Sequence, residues 1–282
     1  MGAPAVRGLG PVWGALALAA CVSLEEAPMP RGAVRPGQRT LLLVYASPGP
    51  WLGEADSKVE TAAKVVPGLG LAVQAAQDER DLARSKDLQQ YLPPWRPEEA
   101  LASLLRTELA SSGHPGRLLS PAEAELSAEA LGELNKAQDP LDWRRRYLEE
   151  GALSRDYSRF LSLDDALVFE VNLAWGASSD GEGNLSPCLS AVARLYRAGT
   201  MRLLWRHEDS AEDPAMAKTL YDFKTRPQDL LGSWERLIPG LAQKIAASYR
   251  TKLQPAASPS LPGDSAARPA GVPVSLSTAT AR

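Results

Sequence analysis

The chain has 282 residues, enough for one good-sized domain or two small ones, and its 44% hydrophobic and 23% charged residues are an ordinary globular balance. A formal net charge of −3 argues against general nucleic-acid binding, which needs a basic surface. With two cysteines, Cys21 and Cys188, a disulfide framework is excluded.

Residues 1–20 read as a targeting segment. Arg7 supplies the positive start, and Leu9 to Ala20 is an uncharged run too short to span a bilayer. It ends Leu18-Ala19-Ala20-Cys21, which resembles the lipobox of bacterial lipoproteins. The resemblance implies that Cys21 is lipidated and that Leu18, Ala19 and Ala20 are read by the lipoprotein signal peptidase. Two or more acyl chains on one residue would anchor stably. Val22 stands where an Asp would hold a lipoprotein in the inner membrane, which points to the outer membrane, facing the periplasm. Residues 21–39, rich in Pro, Gly and charge, are expected to form a lipidated tether, 40–253 a single domain, and 254–282, dominated by Pro, Ala and Ser, a disordered tail.

Within the domain, Thr40 to Ala46 is an apolar run of the kind found in a central strand covered on both faces. Val59 to Val66 and Leu69 to Tyr91 carry helical signals. Gly68-Leu69-Gly70 lacks the third Gly and the P-loop Lys of a phosphate cradle and reads as a turn. Pro97, with Glu98 and Glu99 behind it, starts a helix whose stripe is Leu101, Leu104, Leu105 and Leu109, and Gly113 ends it. Gly116 to Leu119 is a short strand, so the order suggests a parallel crossover. Ser120-Pro121-Ala122-Glu123 is a capping box that predicts a helix to about Lys136. Asp139-Pro140 starts another, carrying Trp143, Tyr147 and Leu148; its Arg144, Arg145 and Arg146 read as a solvated face, with a lipid-headgroup or peptidoglycan contact as the other reading.

Asp165 to His207 reads as three strands of period two. Leu167, Phe169, Val171, Leu173 and Trp175 lead the first, Leu189, Ala191, Ala193 and Leu195 the second, and Met201, Leu203 and Trp205 the third. These odd-numbered side chains are expected on a buried face, with the even-numbered ones on a wetter face and Gly199 supplying the permissive backbone of a hairpin link. Beyond the meander, Leu230, Leu231, Trp234, Leu237, Leu241 and Ile245 form the stripe of a covering helix over 227–250, which Pro239 is expected to kink or split. The expected fold class is therefore α/β: a mixed sheet with a strand–helix–strand start, a three-strand antiparallel meander and a C-terminal covering helix.

Signals for chemistry are sparse. Asp180, Glu182 and Asn184 space their oxygens like a calcium loop, but Leu185 and Ala191 stand where that loop needs Gly and Glu, so an exposed loop is the better reading. His207 precedes Glu208 and Asp209 at a strand end and reads as a polar exit. Cys188 reads as a small apolar strand residue, and a Cys188–His207 pair lacks an evident orienting partner. No catalytic residue, metal or cofactor is expected.

Asp165-Ala166-Leu167-Val168 entering the meander, with Gly199 and Leu203-Leu204-Trp205 near its end, resembles a group of envelope lipoproteins. The group includes periplasmic domains of the curli-secretion type and of the activators of penicillin-binding proteins. The resemblance spans roughly residues 40–250. It implies an α/β domain acting by binding other envelope proteins. Paired lipid-facing strands of a pore are not evident. The reading is a lipid-anchored, non-enzymatic binding or assembly protein of the cell envelope. Its expected partners are the membrane, through the N-terminal lipid, and another envelope protein, with no nucleic acid. The alternative is an envelope hydrolase, directed at peptidoglycan, with an acidic site.

Overall fold

The computed structural model describes residues 29, 33–54, 69–149, 155–157, 166–180 and 182–253. Its order is β1 (Arg39–Ala46), β2 (Trp51–Glu54), α1 (Leu69–Gln89), α2 (Pro97–Ser111), β3 (Arg117–Leu119), α3 (Ala128–Leu134), α4 (Pro140–Tyr147), β4 (Leu167–Ser179), β5 (Asn184–Arg197), β6 (Arg202–Glu212), β7 (Lys218–Thr219), α5 (Leu220–Thr225) and α6 (Pro227–Leu253), with a 3-10 turn at Pro214–Met216. The segments expected as signal peptide (1–20), lipobox (18–21) and disordered tail (254–282) lie outside the described residues, as does the helical signal at 59–66. Met29, Ala33 and Val34 are buried against the core, so packing begins upstream of Thr40.

The fold is α/β, built on one mixed seven-stranded sheet. Its main path runs β3-β1-β4-β5-β6, with β2 beside β4 and β7 beside β5. β1 is parallel to both β3 and β4, as the strand–helix–strand order predicts. β4, β5 and β6 form the antiparallel meander. On one face α2 and α6 bury Leu101, Leu105, Leu109, Trp234, Leu241 and Ile245 against Phe169, Val171, Leu173, Leu195 and Trp205. On the other face α3 and α4 bury Leu134, Trp143 and Tyr147 against Leu41, Leu43, Val168 and Val192. β1, covered on both sides, is the central strand its apolar run predicts.

Several expectations need correction. The even-numbered face of the meander is not wet along β4, where Val168, Glu170, Asn172 and Ala174 are all buried. Leu203 is 46% exposed, and Leu204 takes its inward place. The cause is a bulge in the β5–β6 ladder: Leu195 pairs with Trp205 while the next residue, Tyr196, pairs with Leu203. The extra residue reverses the alternation at that point. The positive φ of the hairpin falls on Met201 (50°) rather than on Gly199. The Ser120–Glu123 box forms, with Ser120 N–H donating to Glu123 at 2.7 Å and Glu123 N–H to Ser120 Oγ at 3.2 Å. The helix nevertheless stops after one turn, because Glu125 turns left-handed (φ 57°) and sends Leu126 into the core. A second start, capped by Ser127, makes α3. Pro239 does not split α6, which is continuous across it. Pro239 and Glu235, whose carbonyl loses its partner, both lie on the exposed side, where water can replace the missing bond.

β2 is absent from the sequence reading. It follows the turn Ser47–Pro50 and runs beside the end of β4, pairing Trp51 with Gly176. The approach is close: a Cβ on Gly176 would lie 1.8 Å from the Trp51 carbonyl oxygen. α1 holds β2 from outside, where Leu52 N–H donates to Ser85 Oγ at 3.0 Å.

Candidate functional site

Open α/β sheets leave crevices at the carboxyl ends of parallel strands. Here a cleft of about 690 Å³ opens at the carboxyl end of β1. Its floor is Leu42 to Pro48, one wall is the start of α2 with Trp95, and the other is α3 with Asn135. Pro97 lets α2 begin where it does, since the missing N–H falls among the unpaired donors of the first turn.

Three indoles build one side. Trp95 stacks on Trp234 at 5.1 Å and meets Trp175 edge-on at 5.2 Å, and Trp175 meets Trp234 edge-on at 4.9 Å. Trp175 and Trp234 are buried and pinned: their indole N–H groups donate to Ser47 O at 3.1 Å and Gly176 O at 2.8 Å. Trp95 is the partly exposed member, and it lines the cleft.

Two carboxylates sit at the rim. Burial raises the pKa of Glu98. Glu99, the next residue, is exposed and pairs with Arg96 at 3.1 Å. Successive positions on a helix point about 100° apart, so the two do not face each other as an acid–base pair would need.

Beneath the floor lies a buried polar cluster. Glu170 accepts from Arg155 at 3.0 Å, from Asn172 at 2.6 Å and from the Tyr157 hydroxyl, and Arg194 stands 3.5 Å away. Arg155 and Arg194 expose 2% and 5% of their side chains, so two guanidinium groups share one buried carboxylate. The Arg155 guanidinium is sandwiched between the rings of Tyr45 and Tyr147, at 3.9 and 3.7 Å. It also donates to Leu134 O at 2.6 Å and Asn135 Oδ1 at 2.9 Å. Asn135 in turn accepts from Trp143 Nε1 and donates to Ala46 O at 3.2 Å. The cluster thus fixes Tyr45 and Asn135, both of which line the cleft. The signal for it was Glu170 and Asn172 standing within an apolar strand; their partner Arg155 lies in a stretch with no periodicity.

The residues singled out from sequence separate. Cys21, Leu18, Ala19 and Ala20 are outside the described residues. Cys188 pairs across the ladder with Glu212, whereas His207 pairs with Ala193, so the two are not together. Burial pushes the Cys188 thiol up to about 12, against nucleophilic use at neutral pH. Asp180 spends its carboxylate on its own loop, accepting from Glu182 N–H, Asn184 N–H and Asn184 Nδ2. Of the basic run, Arg145 pairs with Asp78, Arg146 pairs with Asp142, and Arg144 lies over Trp51 at 5.1 Å. His207 contacts Ser248 Oγ at 3.0 Å and Asp209 at 3.4 Å, a serine–histidine–carboxylate row. Ser248 lies inside α6, where its N–H belongs to the helix ladder and cannot serve an oxyanion. Asp209 is also held by Lys244 at 3.1 Å, so the row staples α6 to β6.

No family model and no curated protein matches the chain. Solved structures that align with it include a Xanthomonas campestris protein of the DUF330 family, at 9% identity and a TM-score of 0.34, covering 78% of this chain and 91% of that one. A PelC dodecamer from Paraburkholderia phytofirmans aligns at 9% identity and 0.32, covering 82% and 97%. The lipoprotein GNA1162 from Neisseria meningitidis aligns at 12% and 0.27, covering 75% and 99%. Scores and identities this low decide nothing about function.

Proposed function

We propose that the chain is a lipid-anchored, non-enzymatic binding or assembly protein of the bacterial cell envelope, and that the cleft at the carboxyl end of β1 is its binding site. The observation that carries the reading is the position of the cleft. β1 begins at Arg39, and the cleft lies along its second half, from Leu42 on, and opens at its carboxyl end. A lipid on Cys21 would hold the domain at the membrane while the cleft stays open to a partner. Trp95 and the rigid aromatic group behind it supply the anchoring surface that protein interfaces favour.

A photo-crosslinking residue placed at Ala102, in the cleft, should capture one discrete envelope protein in intact cells, and the same residue at the exposed Ala247 on α6 should not. Equal labelling from both positions would refute the cleft as the binding site. The second reading, an envelope hydrolase, draws support from the burial-raised Glu98, which could act as a general acid. It requires that purified protein cleave peptidoglycan and that Glu98→Gln abolish the cleavage.

A further inference from the structure

The backbone in the cleft floor has a direction. β3 ends at Leu119, opposite Leu41, while β1 continues to Ala46. In a strand, alternate residues aim their N–H and C=O groups to opposite edges. Gln38 O accepts from Arg117 N–H, so even-numbered residues of this strand aim toward β3; Ser47 N–H donates to Leu173 O, so odd-numbered ones aim toward β4. Leu42 N–H makes the last bond of that ladder, to Leu119 O; beyond it the Leu42 carbonyl and the groups of Val44 and Ala46 aim into the cleft, and among the described residues no strand lies beside them. Ala46 O already takes a side-chain donor there, Asn135 Nδ2. The chain cannot continue the ladder itself, because the next β3 position that would aim at β1 is Pro121, which has no N–H.

We infer that this free edge accepts an extended segment of a partner protein as an added strand, one that alternates apolar and small residues and carries a basic side chain. The inference deepens the binding reading and rests on it. The sheet already uses the same device once, where β2 carries on the line of β1 beside β4. An added strand would carry on the line of β3 beside β1. Side chains on one of its faces would meet Trp95 and Ala102, and those on the other would meet Leu131 and Asn135, so the slot reads alternate residues on both sides. With Glu99 paired to Arg96, Glu98 is the rim carboxyl that favours a basic residue over an acidic one.

The test uses the purified full mature chain and a blocked heptapeptide of alternating valine and threonine with lysine at both ends. Amide exchange at Val44 and Ala46 should slow by about tenfold or more with saturating peptide. The same peptide N-methylated at alternate residues should give no protection, and glutamate in place of the lysines should weaken it by about fivefold, the scale of one exposed ion pair. Val44→Pro should abolish protection at Ala46 while the chain still melts in one cooperative transition, at a lower temperature because Val44 packs on the core. Absence of protection, or equal protection by N-methylated peptide, overturns strand addition. Protection present without peptide and lost on deletion of residues 254–282 also overturns it, in favour of an internal occupant. A chain that fails here yet still gives the discrete Ala102 crosslink keeps the binding reading and loses only this mode.

Discussion

At Glu170 a polar residue inside an alternating strand is buried rather than wet. Removing its charge strands two guanidinium groups away from water, so Glu170→Gln should cost about 3–5 kcal/mol, as breaking a buried pair does. Trp205→Ala, on the opposite face, should cost a similar ~3–5 kcal/mol through the cavity it leaves. Arg202→Ala, on an exposed stretch of β6, should cost about 0.5 kcal/mol or less. Denaturant melts of the three variants check the set, and a severe Arg202 variant would show β6 covered on its outer face. His114 gives a pH test. It is held between Thr40 Oγ1 at 3.2 Å and the Tyr249 hydroxyl at 3.0 Å, and burial lowers its pKa from 6.5 to about 4. The folded value lies below the unfolded one, so this stability is fully present above pH 6.5 and is lost as pH falls from 6.5 through 4. Allowing for its partial exposure, the loss is about 1–2 kcal/mol. His114→Gln should flatten the melting temperature across that window; an unchanged slope would assign the acid sensitivity to other groups.

At the scale of elements, β2 depends on a residue of another strand. Gly176 leaves room for the Trp51 backbone, and Trp51 in turn lies under Arg144 of α4. Gly176→Ala should therefore push β2 from the sheet edge at a cost of about 1–3 kcal/mol, with backbone amides of Leu52 and Gly53 losing exchange protection. Protection that stays intact would mean the sheet absorbs the methyl group elsewhere. The α3 region shows the same dependence in reverse. Its capping box is present and makes its bonds, yet Leu126 gains more by entering the core through a left-handed Glu125 than by continuing a helix. Local signals placed the start of that helix at Ser120, where only a turn forms, and its end at about Lys136, close to the observed Leu134. Likewise the bulge at Leu195 and Tyr196, which turns Leu203 outward, leaves no mark in a period-two pattern.

At the scale of the molecule, Cys21 precedes the first described residue, Met29, so a lipid there should leave folding of the domain unchanged. Cys21→Ser should shift the chain from the membrane to the soluble fraction without changing its melting transition, and mass spectrometry of the mature amino terminus should find the lipid on Cys21 in the parent alone. An unmodified terminus downstream of Cys21 in the parent would refute the anchor. The sequence by itself determined the central strand at Thr40–Ala46, the parallel crossover, the three-strand meander and the covering helix. Each of these follows from a local period of apolar residues or from a cap within a few positions. Only the tertiary structure decided the site. Trp95, Trp175 and Trp234 are distant in the chain, and so are Arg155, Glu170 and Arg194, and nothing in their neighbours marks them as partners. The polar letters of β4 look the same whether they face water or one another. Which of the two occurs depends on the charges that long-range packing brings to meet them.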